Sequence, residues 1–272
     1  MVPTGKQTGE GLWCEERGTG RPLVLLHGWC MSSAVWEGQL TGLSDGYRVI
    51  APDLSGHGRS GLPRDGFTMA GCVEELAGLF QRLDLRDVVL CGWSLGSMIA
   101  IRALPQLRGR VAGLVLVGGT PRFTRGDNFP YGLSVNEVEG MARKVERNLR
   151  RALDGFIGRM FAESECTDEQ TAALVRGIQT AVPLPETGTA LQALQVLAEV
   201  DLRGELSAID LPLLVINGNR DLICLPQASD YLAGAIGGAR QVVFPGCGHA
   251  PFLTDPAHFN RCLEEFMEEV PR

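Results

Sequence analysis

The sequence predicts an α/β protein in which a mostly parallel central sheet is flanked by helices and interrupted by one helical insertion. Short, near-continuously apolar runs alternate with stretches of helical period, as parallel strands buried on both faces and joined by crossover helices should. The alternation fails once, between roughly residues 120 and 200, where helical patterns occur without a convincing strand. The third run passes directly into Gly92-Trp93-Ser94-Leu95-Gly96, a pattern that needs a sharp turn between a strand and a helix.

In chain order, the predicted strands are Pro22–Gly28, Tyr47–Asp53, Asp87–Trp93, Val111–Gly119, Leu211–Asn219 and Arg240–Gly246. Between the second and third, Val73, Leu76, Ala77 and Phe80 keep helical spacing after Thr68, which supplies an N-cap. A second helix, Leu95–Leu104, follows the glycine-flanked serine. The last begins at Asp255-Pro256, an N-cap followed by proline at the first helical position, and carries Phe259, Cys262, Leu263 and Phe266 on one face. Pro183-Leu184-Pro185 marks a turn between two helices of the insertion. The chain divides on this reading into a core, 1–120 with 199–272, and a helical lid, 121–198.

Composition narrows the function. Hydrophobic residues make up 44% and charged residues 21% of the 272, the balance of a globular protein. The net charge of −7 argues against nucleic acid, whose binders need a basic surface to displace counterions. No apolar run approaches the ~18 residues of a membrane span. The polar start, MVPTGKQTGE, lacks the basic-then-apolar layout of a signal peptide. A cytoplasmic monomer without membrane contact is expected. The eight cysteines are scattered with no CxxC pair, so reduced and mostly buried thiols are expected. Cys247 and His249 are two ligand types without a third, and no metal site is expected.

A serine hydroxyl becomes a useful nucleophile only when a base takes its proton, and histidine does this near neutral pH. The flanking glycines of Ser94 suit a turn that brings backbones too close for side chains and leaves the hydroxyl exposed above the sheet. Four histidines are available: His27 in a strand-end turn, His57 in Ser55-Gly-His-Gly, His258 inside the last helix, and His249 in Gly246-Cys-Gly-His-Ala-Pro. His249 alone sits just beyond the last strand, where a loop would face Ser94. The acid should follow a strand and precede the histidine. Asp221 fits that place, with Asp201 as the rival. Backbone N–H groups of Leu95 and, from the loop after the first strand, Trp29 would hold an oxyanion. His27 reads as a turn histidine bonded to backbone.

Together, HGW (27–29), DLSGHGRS (53–60), GWSLG (92–96), the Asp221 loop and GCGHAPF (246–252) resemble the α/β-hydrolase superfamily over the whole chain. Within it, the chain is similar to the pimeloyl-carrier-protein methyl ester carboxylesterases of biotin synthesis. The residues behind this are HGW with GWSLG, Pro121-Arg-Phe123, Asp127-Asn-Phe-Pro130, Pro183-Leu-Pro-Glu186, Val200-Asp-Leu-Arg203 and HAPF. The lid otherwise departs freely from that family. The resemblance implies hydrolysis of the methyl ester of a pimeloyl chain on acyl carrier protein. Ser94 would attack, His249 move the proton, Asp221 orient the imidazole, and Trp29 and Leu95 hold the oxyanion. Phe123 and Phe156 would help bind substrate, and no metal or organic cofactor is implied.

The lid points to the same partner. Arg143, Arg147, Arg150 and Arg151 recur at three- and four-residue spacing, while Val145, Leu149, Leu153, Phe156 and Met160 form an apolar stripe. Residues 141–160 hold six basic against two acidic residues in a net-acidic chain, a dock for acidic acyl carrier protein or an ordinary solvated helix face. The same triad also suits a small-molecule carboxylesterase, a lactonase or a carbon–carbon bond hydrolase, and the fold also serves non-catalytic ligand receptors.

Overall fold

The computed structural model describes residues 6–7, 11–163 and 165–271; the polar start of the chain, residues 1–5 and 8–10, lies outside them. Eight strands form one sheet: β1 (Lys6–Gln7), β2 (Trp13–Arg17), β3 (Arg21–Leu26), β4 (Tyr47–Pro52), β5 (Val88–Trp93), β6 (Val111–Val117), β7 (Leu213–Gly218) and β8 (Arg240–Phe244), in the order β1-β2-β4-β3-β5-β6-β7-β8. Only β2 runs antiparallel to its neighbours, pairing with β1 on one side and β4 on the other. The six strands expected from the sequence are all present, each one to three residues shorter than its apolar run. All six residues of β5 and of β7 are buried, which is why these runs read as continuously apolar instead of alternating.

Helices cover both faces of the sheet. Thr68 caps α2 (Met69–Arg82) by accepting from the Gly71 amide at 3.0 Å, and Asp255 caps α10 (Pro256–Glu269) by accepting from the His258 amide at 3.1 Å. Between them lie α3 (Leu95–Ala103) and α8 (Pro226–Ala235), with α1 (Glu37–Gly42) before β4 and α9 (Pro251–Thr254) just before α10. Six of the eight free cysteines are buried; Cys166 and Cys247 are half-buried.

Between β6 and β7 the chain forms α4 (Val135–Arg147), α5 (Leu149–Arg159), α6 (Asp168–Ala181) and α7 (Thr187–Glu199). The arginine repeat reads in sequence as one helix face, but the structure splits it. Asn148 is extended (φ −165°, ψ 97°), ends α4, and caps α5 by accepting from the Arg151 amide at 2.9 Å. Arg143 and Arg147 therefore lie on α4, and Arg150 and Arg151 on the first turn of α5.

The topology decides where a site can form. After β3 the chain runs to β4 on one side, and after β4 it crosses to β5 on the other, so β3 and β5 flank the point where strand order reverses. Leu26 pairs with Gly92, which sets the loop after β3 beside the turn after β5. Among the described residues no helix is long and apolar enough to cross a membrane.

Candidate active site

Ser94 occupies the turn between β5 and α3 with φ 54° and ψ −116°, a conformation costing a non-glycine residue roughly 1–3 kcal/mol. The flanking glycines make it possible. A Cβ on Gly92 would lie 2.3 Å from the Gly96 carbonyl oxygen, and one on Gly96 would lie 2.5 Å from that of Leu26. Gly28 plays a related part from the neighbouring loop, since a Cβ there would sit 3.3 Å from the Ser94 Cβ. The Ser94 amide donates to the Val117 carbonyl at 3.0 Å and so ties the turn to the end of β6.

The next residue along, Gly118 (φ 49°), supports the histidine. A Cβ on it would lie 3.0 Å from Nδ1 and 3.1 Å from Cε1 of His249. His249 is 1% exposed, and its Nδ1–H donates to Asp221 Oδ2 at 2.6 Å. Asp221, equally buried, accepts at Oδ1 from the amides of Ile223 (2.7 Å) and Cys224 (3.0 Å). An ionised carboxylate only accepts, so the proton of a neutral His249 sits on Nδ1 and the lone pair on Nε2. Nε2 is buried and, among the described residues, has no hydrogen-bond partner. Trp93 closes the other side: its Nε1–H donates to the His249 carbonyl at 2.9 Å, and the two rings lie 5.4 Å apart. Cys224 adjoins both ends of the group. Its thiol is held well above the ordinary range by burial and then by the Asp221 charge, against an opposing side-chain hydrogen bond with Ser94.

The rival acid is elsewhere. Asp201 pairs with Arg203 at 2.7 Å and Arg122 at 3.3 Å, and its carboxyl is held below the usual range chiefly by the Arg203 hydrogen bond. The remaining histidines are also accounted for. His27 Nδ1–H donates to the Gly28 carbonyl at 2.9 Å while Nε2 accepts from the Leu54 amide at 2.9 Å, which pins the loop after β3 to the loop after β4. Burial depresses His27 to about 4, and burial together with the neighbouring His27 depresses His57 to about 3. His258 lies on α10 against Phe244.

Leu95 opens α3, where a backbone N–H has no intrahelical acceptor. The Trp29 side chain is 2% exposed, donates from Nε1 to the Ala190 carbonyl of α7 at 2.9 Å, and packs edge-on against Phe156 at 5.0 Å. Above it lies a cavity of about 420 Å³ between α4 and α5, lined by Trp29, Phe156 and the cations Lys144, Arg147, Arg151 and Arg159 among others. Of the sequence-predicted lid residues, Arg147, Arg151 and Phe156 face this cavity. Arg143 and Arg150 do not line it, and Arg143 pairs with Glu139 at 3.5 Å. Phe123 is 2% exposed in the core and does not line it either. Gly118 and Trp93 escaped the sequence reading as supports of His249; the glycine pair Gly118-Gly119 ending an apolar strand was the signal for the first.

A sequence profile described as the alpha/beta hydrolase fold matches residues 21–256, and the chain belongs to that family. Among its relatives, a pimeloyl-acyl-carrier-protein methyl ester esterase of Nitrosomonas europaea is 37% identical over 250 residues, covering 92% of this chain and 97% of that one. A protein of the same description from Methylococcus capsulatus is 33% identical over 267 residues, covering 94% and 98%. A solved esterase from Exiguobacterium antarcticum superposes with a TM-score of 0.88 at 28% identity, over 98% of this chain and all of that one (100%).

Proposed function

We propose that this chain is a serine carboxylesterase that hydrolyses the methyl ester of pimeloyl-acyl carrier protein, releasing methanol and the free carboxylate for biotin synthesis. The observation that carries the chemistry is the buried Asp221–His249 pair, 2.6 Å apart, beside a strained, elbow-mounted Ser94. Ser94 Oγ attacks the ester carbonyl and gives its proton to His249 Nε2. The oxyanion is held by the amides of Leu95 and Trp29, and its collapse expels methanol, which takes the proton from His249. Water, deprotonated by the same nitrogen, then clears the acyl-enzyme. Asp221 keeps the imidazole in the tautomer that can accept.

Residues 121–198 act as the lid. Trp29 joins the two functions, because its amide belongs to the oxyanion site while its ring floors the lid cavity with Phe156. The extended acyl arm enters past these rings. The carrier docks on the cations above, with Arg143, Arg147, Arg150 and Arg151 as its contacts. The break at Asn148 favours this role, since Arg150 and Arg151 add positive charge to a helix N-terminus that is already positive, an arrangement that suits an anionic partner and not helix stability.

The test reverses Arg147, Arg150 and Arg151 to Glu and compares two substrates at low and high salt. The triple variant should lose roughly tenfold or more in kcat/KM on the carrier-borne ester, and leave a short p-nitrophenyl ester within about twofold. Salt should narrow the gap, because exposed charges are screened over ~8 Å at physiological ionic strength. Parallel losses on both substrates, or none on either, would make the cations a solvated face only.

A further inference from the structure

We propose that Glu165 is a positioning residue for the reaction, holding the His249 loop from the connection between α5 and α6; this rests on the hydrolase reading above. Glu165 lies 84 residues before His249 in the chain, yet its half-buried carboxylate joins three partners. Oε2 accepts from the Gly248 amide at 2.9 Å and from the Ala162 amide at 2.7 Å, and Oε1 accepts from the Thr254 hydroxyl at 2.7 Å. Gly248 immediately precedes His249 and Thr254 ends α9, so one carboxylate spans both sides of the loop that presents the imidazole.

The same connection reaches the histidine itself. The His249 amide donates to the Met160 carbonyl at 2.7 Å, and the approach is so close that a Cβ on Gly248 would lie 2.3 Å from that oxygen. It also touches the acid loop: Arg159 donates to the Leu222 carbonyl at 3.3 Å, and Arg220 to the Glu163 carbonyl at 3.1 Å. Residues on either side of Asp221 and of His249, through backbone at Leu222, Gly248 and His249 and through side chains at Arg220 and Thr254, are thus anchored to residues 159–165 of the insertion. The sheet alone leaves them at the ends of long loops, three residues past β7 and five past β8.

A displacement of a few tenths of an ångström matters here. The imidazole must keep both its bond to Asp221 and its line to Ser94, and misplacement by ~1 Å costs on the order of 10² in rate. Glu165 touches none of the reacting atoms, so its removal should change turnover and leave binding of a small ester alone. Charge is not what the site requires. A glutamine can accept from Gly248 and Ala162 with its oxygen and donate to the Thr254 hydroxyl with its nitrogen.

The experiment measures kcat and KM for a short p-nitrophenyl ester on the full chain, well below each variant's melting temperature, with Ser94→Ala as the blank. Glu165→Ala should lower kcat about tenfold or more with KM within about twofold, and Glu165→Gln should return it to within about threefold of wild type. If Glu165→Ala does not fold, Thr254→Val removes the Oε1 bond and spares both Oε2 bonds, losing with it only that hydroxyl's long contacts to Cys247 Sγ (3.9 Å) and the Pro251 carbonyl (3.5 Å), and should lower kcat about threefold at unchanged KM. Unchanged kcat in Glu165→Ala, or in Thr254→Val where that variant must be used, overturns the proposal while leaving the hydrolase reading in place. A Glu165→Gln variant as impaired as the alanine also overturns it. Turnover that survives Ser94→Ala overturns both.

Discussion

Replacing Asp221 by asparagine tests the catalytic geometry with little disturbance to the fold. Oδ1 of Asp221 already accepts two backbone N–H bonds, from Ile223 at 2.7 Å and Cys224 at 3.0 Å. An asparagine placed with its NH2 toward those amides would lose both bonds, each worth about 1.5–3 kcal/mol when a charged group is involved, and would set donor against donor. The amide oxygen must therefore occupy the Oδ1 position, which turns the NH2 toward His249 Nδ1. That nitrogen becomes an acceptor and the ring proton moves to Nε2, the atom that should take the proton from Ser94. Turnover should fall by roughly 10⁴, or about 5 kcal/mol in the barrier. The melting temperature should change little, since the two backbone bonds survive. Asp201→Asn, which alters only a pair with Arg203 and Arg122 near the surface, should keep kcat within about threefold. The assay is kcat on a short p-nitrophenyl ester, with thermal melting as the control. An Asp221→Asn protein that keeps a tenth of wild-type kcat, or an Asp201→Asn protein that is the more impaired, would refute the argument.

Three further outcomes follow from the same structure. Ser94→Ala and His249→Ala should each lower ester turnover by about 10⁴ or more, and a fluorophosphonate probe should label wild type but not Ser94→Ala; labelling that persists would place the nucleophile elsewhere. Gly118→Ala puts a methyl 3.0 Å from His249 Nδ1 in a backbone with φ 49°, so kcat should drop about tenfold and stability by about 1–2 kcal/mol, and full activity would show that the ring tolerates the push. His27 and His57 are depressed to about 4 and about 3 when folded, so below pH ~6.5 the unfolded chain binds more protons and stability falls as pH drops from there toward 4. His57→Gln should flatten the pH dependence of the denaturation free energy in that window by up to about 1.4 kcal/mol per pH unit; identical slopes would mean that His57 does not take up its proton on unfolding.

What the sequence revealed depended on how local each cause was. The parallel strands were legible because burial, complete in β5 and β7, makes them near-continuously apolar, although the edge strand β8 is buried only at Phe244; Thr68 and Asp255 were legible because a cap acts on amides three residues away. Strand β2 escaped, since Trp-Cys-Glu-Glu-Arg carries three charges and pairs only at the outer part of the sheet. The break at Asn148 escaped because the arginine spacing continues across it without a glycine or proline. Its place after a strand favours Asp221, with Asp201 kept as a rival because it ends the insertion near the expected pocket; the pairing of β7 with β8 is what brings the Asp221 loop to His249. Glu165 had no signal at all, because the two partners that tie it to the His249 loop, Gly248 and Thr254, lie more than eighty residues further on.

The insertion leaves the sheet after β6 and returns before β7, and these strands are neighbours, with Val117 paired to Ile216. Its two ends are held together beyond the strands, where Arg122 and Asp201 form an antiparallel bridge and the Leu202 amide donates to the Pro121 carbonyl at 2.8 Å. Closing a longer or shorter excursion between those ends changes the entropy only slowly, by about 0.6 kcal/mol for each doubling of length. The frame carrying Ser94, Asp221 and His249 can therefore keep its strand pairing while the cover above it is rebuilt. Insertion and frame become separable in inheritance, joined among the described residues at points such as the grip of residues 159–165 on the loops beneath and the Trp29–Ala190 hydrogen bond.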